Sequence, residues 1–247
     1  MTVHRSSERP FADVRHLGVV VCAVGALDPS EDFGLHSGFL YQLDSGGPRI
    51  SHLGWHFELH DHPADDDRYL WADTGLDEGN SHVIAAWLSD RRTHPNDIPY
   101  GFDAKGSCFD KVTLDFVPPA LGKGLTCATY IKAVFSHLGF DDFLDEGTWP
   151  LDRQSDRSWQ LAVVEELRKR ASQEHIAALM EDVGATRFRP AEVVGAATVV
   201  SDSWPVTFDD VAAIAQSIIV DVEASRAAYR AASGPASAAP ADDEGDA

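Results

Sequence analysis

Basic residues are scarce in this chain: 20 lysines and arginines stand against 40 aspartates and glutamates, a formal net charge of −20. A surface that negative repels phosphate backbones and anionic lipid, so neither nucleic acid nor a membrane surface is expected as a partner. Cysteine is scarcer still, with Cys22, Cys108 and Cys127 alone. Three thiols without C-x-x-C or zinc-ribbon spacing exclude a disulfide framework and point to a reducing compartment. Long hydrophobic runs are missing too. Nothing approaches the ~18 apolar residues of a membrane helix, the stretch 17–27 is interrupted by glycine, and residues 1–9 lack the apolar segment of a secretory signal. The expected location is cytoplasmic. What remains is ordinary: 44% hydrophobic and 24% charged residues over 247 positions, which excludes wholesale disorder and suffices for one large domain or a domain with a helical appendage.

The pattern along the chain is β first, then helical. Residues 1–15 are polar and expected to be loosely held. Leu17-Gly-Val-Val-Val-Cys-Ala-Val is rich in β-branched residues and suits a strand buried on both faces. A second strand is expected from Gly38, a third over 49–59 and a fourth over 68–73. The last two flank the polar stretch His60-Asp-His-Pro-Ala-Asp-Asp-Asp, so they read as an antiparallel hairpin. A helix is expected over 80–92 from the apolar positions Val83, Ile84, Trp87 and Leu88, and a short strand over 111–117. Cys127, Tyr130, Ile131, Val134 and Leu138 then sit at i, i+3, i+4, i+7 and i+11, with Thr126 as N-cap and Gly139 at C′. That is a helix with a cysteine in its first turn. Further helices are expected over 155–170 and 173–183, one opened by Pro190, and one over 207–230 with Thr207 and Asp210 as its capping pair. Residues 231–247 combine alanine, serine, proline and acid, with nothing to bury, and are expected to form a disordered acidic tail.

Cys127 is the first candidate for chemistry. A thiol at a helix start feels the positive end of the helix dipole, which favours thiolate, and the amide of Cys127 is placed to donate to an oxyanion. Gly122-Lys-Gly just before it allows close backbone approach. A small core residue on an apolar helix face is the bland alternative. The candidate base is His52 in Ser51-His-Leu-Gly-Trp-His-Phe-Glu-Leu, where the β period sets His52, Gly54, His56 and Glu58 on one face. Its bland alternative is a half-exposed histidine on an edge strand.

His52-Leu-Gly-Trp-His resembles the His-x-Gly-aromatic strand of the circularly permuted branch of the NlpC-type, papain-like cysteine enzymes, and Gly124-Leu-Thr-Cys-Ala-Thr-Tyr-Ile resembles that branch's nucleophile helix. The order also matches, with histidine strand before cysteine helix. The resemblance covers residues 17–139. It implies an α+β fold with an antiparallel sheet packed on the nucleophile helix, and peptidase, amidase or acyltransferase chemistry without metal or organic cofactor. It also implies a third, polar residue on the strand after the histidine, orienting the imidazole. The histidine often found there falls near Trp71, a departure from the family, and Asp73 is the substitute if Gly54 and Asp73 are cross-strand neighbours; a register one residue away turns it to the other face. Tyr100, in Ile98-Pro-Tyr-Gly-Phe, is expected near the oxyanion, and Trp55 and His56 beside the substrate.

The expected organisation is therefore a loose segment 1–15, a papain-like catalytic core 16–140, a helical extension 141–230 and the tail 231–247. The expected function is thiol-dependent hydrolysis of an amide or peptide bond, or acyl transfer, by Cys127 and His52 on a peptide, amide or acyl substrate. The extension is free to cover the cleft, to join two copies in a homo-oligomer or to contact a partner. Two alternatives stand beside this. One is a metal-dependent hydrolase using His52, His56 and His60, with His62 and Asp61, Asp65, Asp66 and Asp67 nearby, although no HExxH occurs. The other is a catalytically silent papain-like binding module.

Overall fold

The computed structural model describes residues 3–25, 34–43, 46–94, 96–102, 108–117, 120–151 and 153–233. The fold is α+β. Six strands, β1 (His4–Arg5), β2 (Leu17–Val24), β3 (Gly34–Tyr41), β4 (Arg49–Trp55), β5 (Glu58–Pro63) and β6 (Leu70–Asp73), form one antiparallel sheet in the order β1-β6-β2-β3-β4-β5. The valine run of β2 explains its place inside the sheet: Val19, Val20 and Val21 are fully buried, so both faces of this strand are covered. One face, carrying Val19, Val21, Phe39 and Leu53, joins the main core. The other, carrying Val20, Leu40, Ile50 and Trp71, is closed by Phe11 and Val14.

Helix α1 (Glu78–Arg91) starts at an Asp77 cap that accepts the Asn80 N–H. Helix α2 (Cys127–His137) has a full capping box. The Thr126 hydroxyl accepts the Thr129 N–H, and the Thr129 hydroxyl accepts the Thr126 N–H. It ends as expected, with Gly139 at φ +96°. Its apolar side packs on the sheet through Phe39 against Tyr130 and Phe135, and the Ser51 and Tyr130 hydroxyls meet at 3.1 Å. Burying each such aromatic contributes about 1.5–3 kcal/mol.

Four helices follow: α3 (Gln154–Leu167), α4 (Gln173–Glu181), α5 (Pro190–Ala197) and α6 (Phe208–Ser233), the last opened by reciprocal Thr207 and Asp210 bonds. All residues of α5 are buried, and it packs on α2, β2 and β3 as well as α6. The extension thus shares one continuous apolar core with the sheet. No helix among the described residues is long and apolar enough to cross a membrane.

Four expectations are corrected. The stretch 49–59 is not one strand: it turns at His56 and Phe57, where Phe57 takes φ +58°, and β5 runs back as far as Pro63. Consequently 68–73 does not close a hairpin with it; β6 crosses to the far side of β2, where Asp73 lies opposite Gly18. Residues 111–117 form a turn rather than a strand, because the Asp110 carboxylate captures the Val112 and Thr113 N–H groups. The segment 1–15 is not loose from residue 3 onward, since Val3 and Phe11 are buried and β1 pairs with β6. Of the expected tail, residues 231–233 belong to α6 and the remainder lies outside the described residues.

Candidate active site

Past Phe39 and Ser51 the β3–β4 ladder stops, although both strands continue. Cys127, the first residue of α2, meets β3 there. The His36 ring lines the same pocket as the thiol, and His36 and the Ser37 N–H both favour its ionised form. The buried Ser37 hydroxyl has no hydrogen-bond partner among the described residues and also favours the thiolate. Burial alone would push this thiol up. The influence of His36 and then of Ser37 outweighs it, bringing the thiol from an ordinary 9.0 down to about 7.

The second nitrogen of His36 is engaged as well. His36 Nε2 lies 2.7 Å from His52 Nδ1, with the two rings edge to face at 4.6 Å between centroids. Nδ1 of His36 is therefore the atom left for the thiol. Burial first, then the neighbouring rings of His36, His60 and His62, push His52 down to about 3. His52 is thus neutral at physiological pH. Its Nδ1 accepts from His36 Nε2–H, the tautomer that leaves His36 Nδ1 unprotonated and facing the thiol. The line reads thiol, His36, His52.

Glycine makes this approach feasible. A Cβ on Gly38 would fall 2.6 Å from His52 Cβ and 2.6 Å from the Ser51 carbonyl oxygen. On the helix side, a Cβ on Gly124 would fall 2.1 Å from the Pro99 carbonyl oxygen, so the approach to α2 also needs glycine. That approach is tied by a parallel bridge between Tyr100 and Leu125.

Tyr100 is itself pinned from two sides. Its N–H donates to His56 Nδ1 at 3.1 Å, and its carbonyl oxygen lies 2.9 Å from His175 Nε2. Burial and then the His175 ring push His56 down to about 4, which keeps its acceptor lone pair. The buried Tyr100 hydroxyl is shifted upward by burial and then by the Cys127 charge, so it stays protonated and able to donate. Its ring packs against Trp55, tilted by 41° with centroids 4.7 Å apart. Because the capping box uses the Thr126 and Thr129 N–H groups, the N–H groups of Cys127 and Ala128 have no partner among the described residues. They form the donor pair at the helix start. Tyr100, Trp55 and Cys127 line one pocket of about 240 Å³, together with Trp159 and Phe188 from the extension.

Of the six residues singled out in the sequence, the structure brings Cys127, Tyr100 and Trp55 together and sets His52 behind His36. His56 stands one step away as a holder of Tyr100. Asp73 is not at the site. Its carboxylate is 2.7 Å from the Arg9 guanidinium and accepts the Arg15 N–H, at the other side of the sheet. The ligand set of the metal alternative is divided as well: the His52 and His60 rings lie 5.1 Å apart, whereas the His56 ring lies 4.8 Å from that of His175. Among the described residues no three His, Cys, Asp or Glu side chains are arranged around one ion position.

His36 is the residue that sequence reasoning missed, and a signal for it existed. His36-Ser-Gly-Phe has the same His-x-Gly-aromatic form as His52-Leu-Gly-Trp. Comparison of the chain with protein-family models, with curated proteins and with solved structures finds no match.

Proposed function

We propose that the protein performs thiol-dependent acyl chemistry, hydrolysing an amide, peptide or related acyl bond or passing the acyl group to another acceptor. The observation that carries this reading is the His36 ring, 2.7 Å from His52 Nδ1 and lining one pocket with the Cys127 thiol. In the proposed cycle the thiol proton passes to His36 Nδ1 and Cys127 Sγ attacks the carbonyl carbon, forming an S–C bond. The oxyanion is met by the Cys127 and Ala128 N–H groups, with the Tyr100 hydroxyl available nearby. Collapse breaks the bond to the leaving group, which takes the proton from His36. Water, or a second nucleophile, then gives a proton to His36, attacks the thioester and releases Cys127. His52 acts through His36 as a positioning residue.

The order of these parts supports the resemblance to the permuted NlpC-type, papain-like branch, with His36 in the role first assigned to His52. His52 then occupies the place of the third polar residue, on the strand after the histidine. The metal-hydrolase alternative is disfavoured by the division of His52, His56 and His60.

The test is acyl-enzyme trapping. The protein is mixed with 4-nitrophenyl acetate and quenched, and Cys127 is read by peptide mass. A burst of nitrophenol with one acetyl on Cys127, lost in C127A and strongly slowed in H36A, is expected. Acetylation spread over surface residues and equal in all three proteins would end the thiol reading.

A further inference from the structure

The pocket beside Cys127 is walled by four aromatic rings of two origins. Trp55 and Tyr100 come from the part of the chain that carries the sheet, Trp159 and Phe188 from the helical part beyond residue 150. At about 240 Å³ it exceeds the ~150 Å³ of an apolar cavity that takes benzene, which leaves room for one ring and a few more atoms.

The walls offer nothing to a charged guest. Among the described lining residues there is no carboxylate, and the one permanent cation, Arg187, is already committed. It donates to Asp156 at 3.3 Å, its side chain is 11% exposed, and its guanidinium lies 3.7 Å over the Trp159 ring. A ligand charge entering here loses its water and finds no permanent charge left to pair with among those residues, a penalty that a neutral group escapes. Arg187 serves instead as backing for the wall. Trp159 is packed by Arg187 and by Phe102, with 5.9 Å between the ring centroids. Phe188 is packed by Trp149 at 5.4 Å, and the Lys132 ammonium lies 4.8 Å over its ring. Rings held from behind give the pocket set dimensions.

We propose that this pocket takes a neutral acyl group with an apolar body about the size of one aromatic ring, and that Trp159 and Phe188 set that size. The inference rests on the thiol reading of Cys127 and names the substrate class of that site.

Iodoacetyl probes test it in the full chain. Labelling of Cys127 is followed by peptide mass, and each rate is divided by that of the same probe on the unfolded protein. The Cys127 thiolate displaces iodide, forming S–C as C–I breaks. N-iodoacetyl-phenylalanine amide is expected to label about tenfold faster than the alanine amide, the scale on which an apolar pocket separates side chains of different size. A carboxylate or an aminomethyl group on the ring should each abolish that gain. The field of a chain at −20 slows an anion but speeds a cation, so a loss with both signs belongs to the pocket. A biphenylalanine amide should lag behind the phenylalanine amide in the unsubstituted protein and overtake it in W159L or F188L, whereas an unfolded variant treats all probes alike. A phenylalanine-to-alanine ratio near one in the unsubstituted protein, an undiminished rate for either charged ring, or labelling by iodoacetamide alone overturns the inference while leaving the thiol reading intact. Folded variants that keep the unsubstituted order overturn the assignment of Trp159 and Phe188. Failure of every probe, iodoacetamide included, to label Cys127 in the folded protein overturns the thiol reading and the substrate class with it.

Discussion

Replacing His36 by alanine should slow alkylation of Cys127 at pH 6 about tenfold, and the reasoning fixes the shape of the whole pH profile. With the thiol at about 7, about one molecule in ten is thiolate at pH 6. Without His36, burial, the largest single influence, is opposed only by Ser37, so the thiol returns toward its ordinary 9.0, where about one in a thousand is ionised at that pH. The population term is a factor of ~100. A thiolate whose conjugate acid is two units weaker is about 6–10 times more nucleophilic, which returns part of the loss. The net slowing of about tenfold corresponds to about 1.4 kcal/mol in the barrier. The two profiles should cross near about pH 8, above which the variant reacts faster. Iodoacetamide labelling across pH 5.5–9.5, read at the Cys127 peptide, measures this, and the small reagent suits a residue only 8% exposed. H52A provides the contrast: His52 acts through the orientation of His36, so the labelling inflection should stay within about one unit of wild type. An inflection near 7 in H36A, or the same large displacement in both variants, would refute the assignment of His36 as the thiol's partner.

Other consequences follow from the same geometry. Gly38→Ala should destabilise the fold by about 1–3 kcal/mol in urea melts and shift the Cys127 labelling inflection upward, because the added carbon collides with His52 and the Ser51 carbonyl. An unchanged melt and inflection would mean the strands yield freely. Asp73→Asn should cost about 1 kcal/mol of stability through the partly buried Arg9 contact and leave the labelling profile where it was; a displaced profile would restore Asp73 to the site. His52 and His56 are both held below the ordinary 6.5, at about 3 and about 4. As pH falls below 6.5 the unfolded chain binds protons that the folded chain refuses. The stability they contribute is complete above 6.5 and drains away toward pH 4 and then 3. The unfolding free energy from urea melts should therefore drop steadily from pH 6.5 to 4, by about 1–2 kcal/mol per unit after allowance for partial exposure. A flat midpoint over that range would contradict the buried, neutral state of both rings.

How far the sequence carries the reader varies by element. Helix α2 was fully legible, because its apolar spacing, the Thr126 cap and Gly139 are all local signals. The buried character of β2 and the helices beyond residue 150 were legible for the same reason. The partner of the thiol was not. His36 and His52 sit in nearly identical tetrapeptides, and only the open end of the β3–β4 ladder decides which ring meets Cys127. Asp73 failed on strand order. The distance along the chain suggested pairing with the neighbouring strand, whereas β6 gains more by covering β2, whose valines need neighbours on both sides. The clasp on Tyr100 was equally hidden, since His56 and His175 are far apart in sequence and become partners only when α4 docks.

The shared core has a consequence for how the chain can be handled. Val193 and Val194 of α5, Val211 of α6 and Ile131 of α2 are all fully buried in the same cluster as the strands. A fragment ending near residue 140 would keep all of Cys127, His36 and His52 yet leave the apolar flanks of α2 and β2 facing water, a surface that promotes aggregation. The thermodynamic unit is therefore larger than the chemical one. Heat or denaturant should take the sheet and the helices beyond residue 150 apart in a single cooperative step, and a minimal version of this protein has to retain α5 and α6 to exist as a folded species.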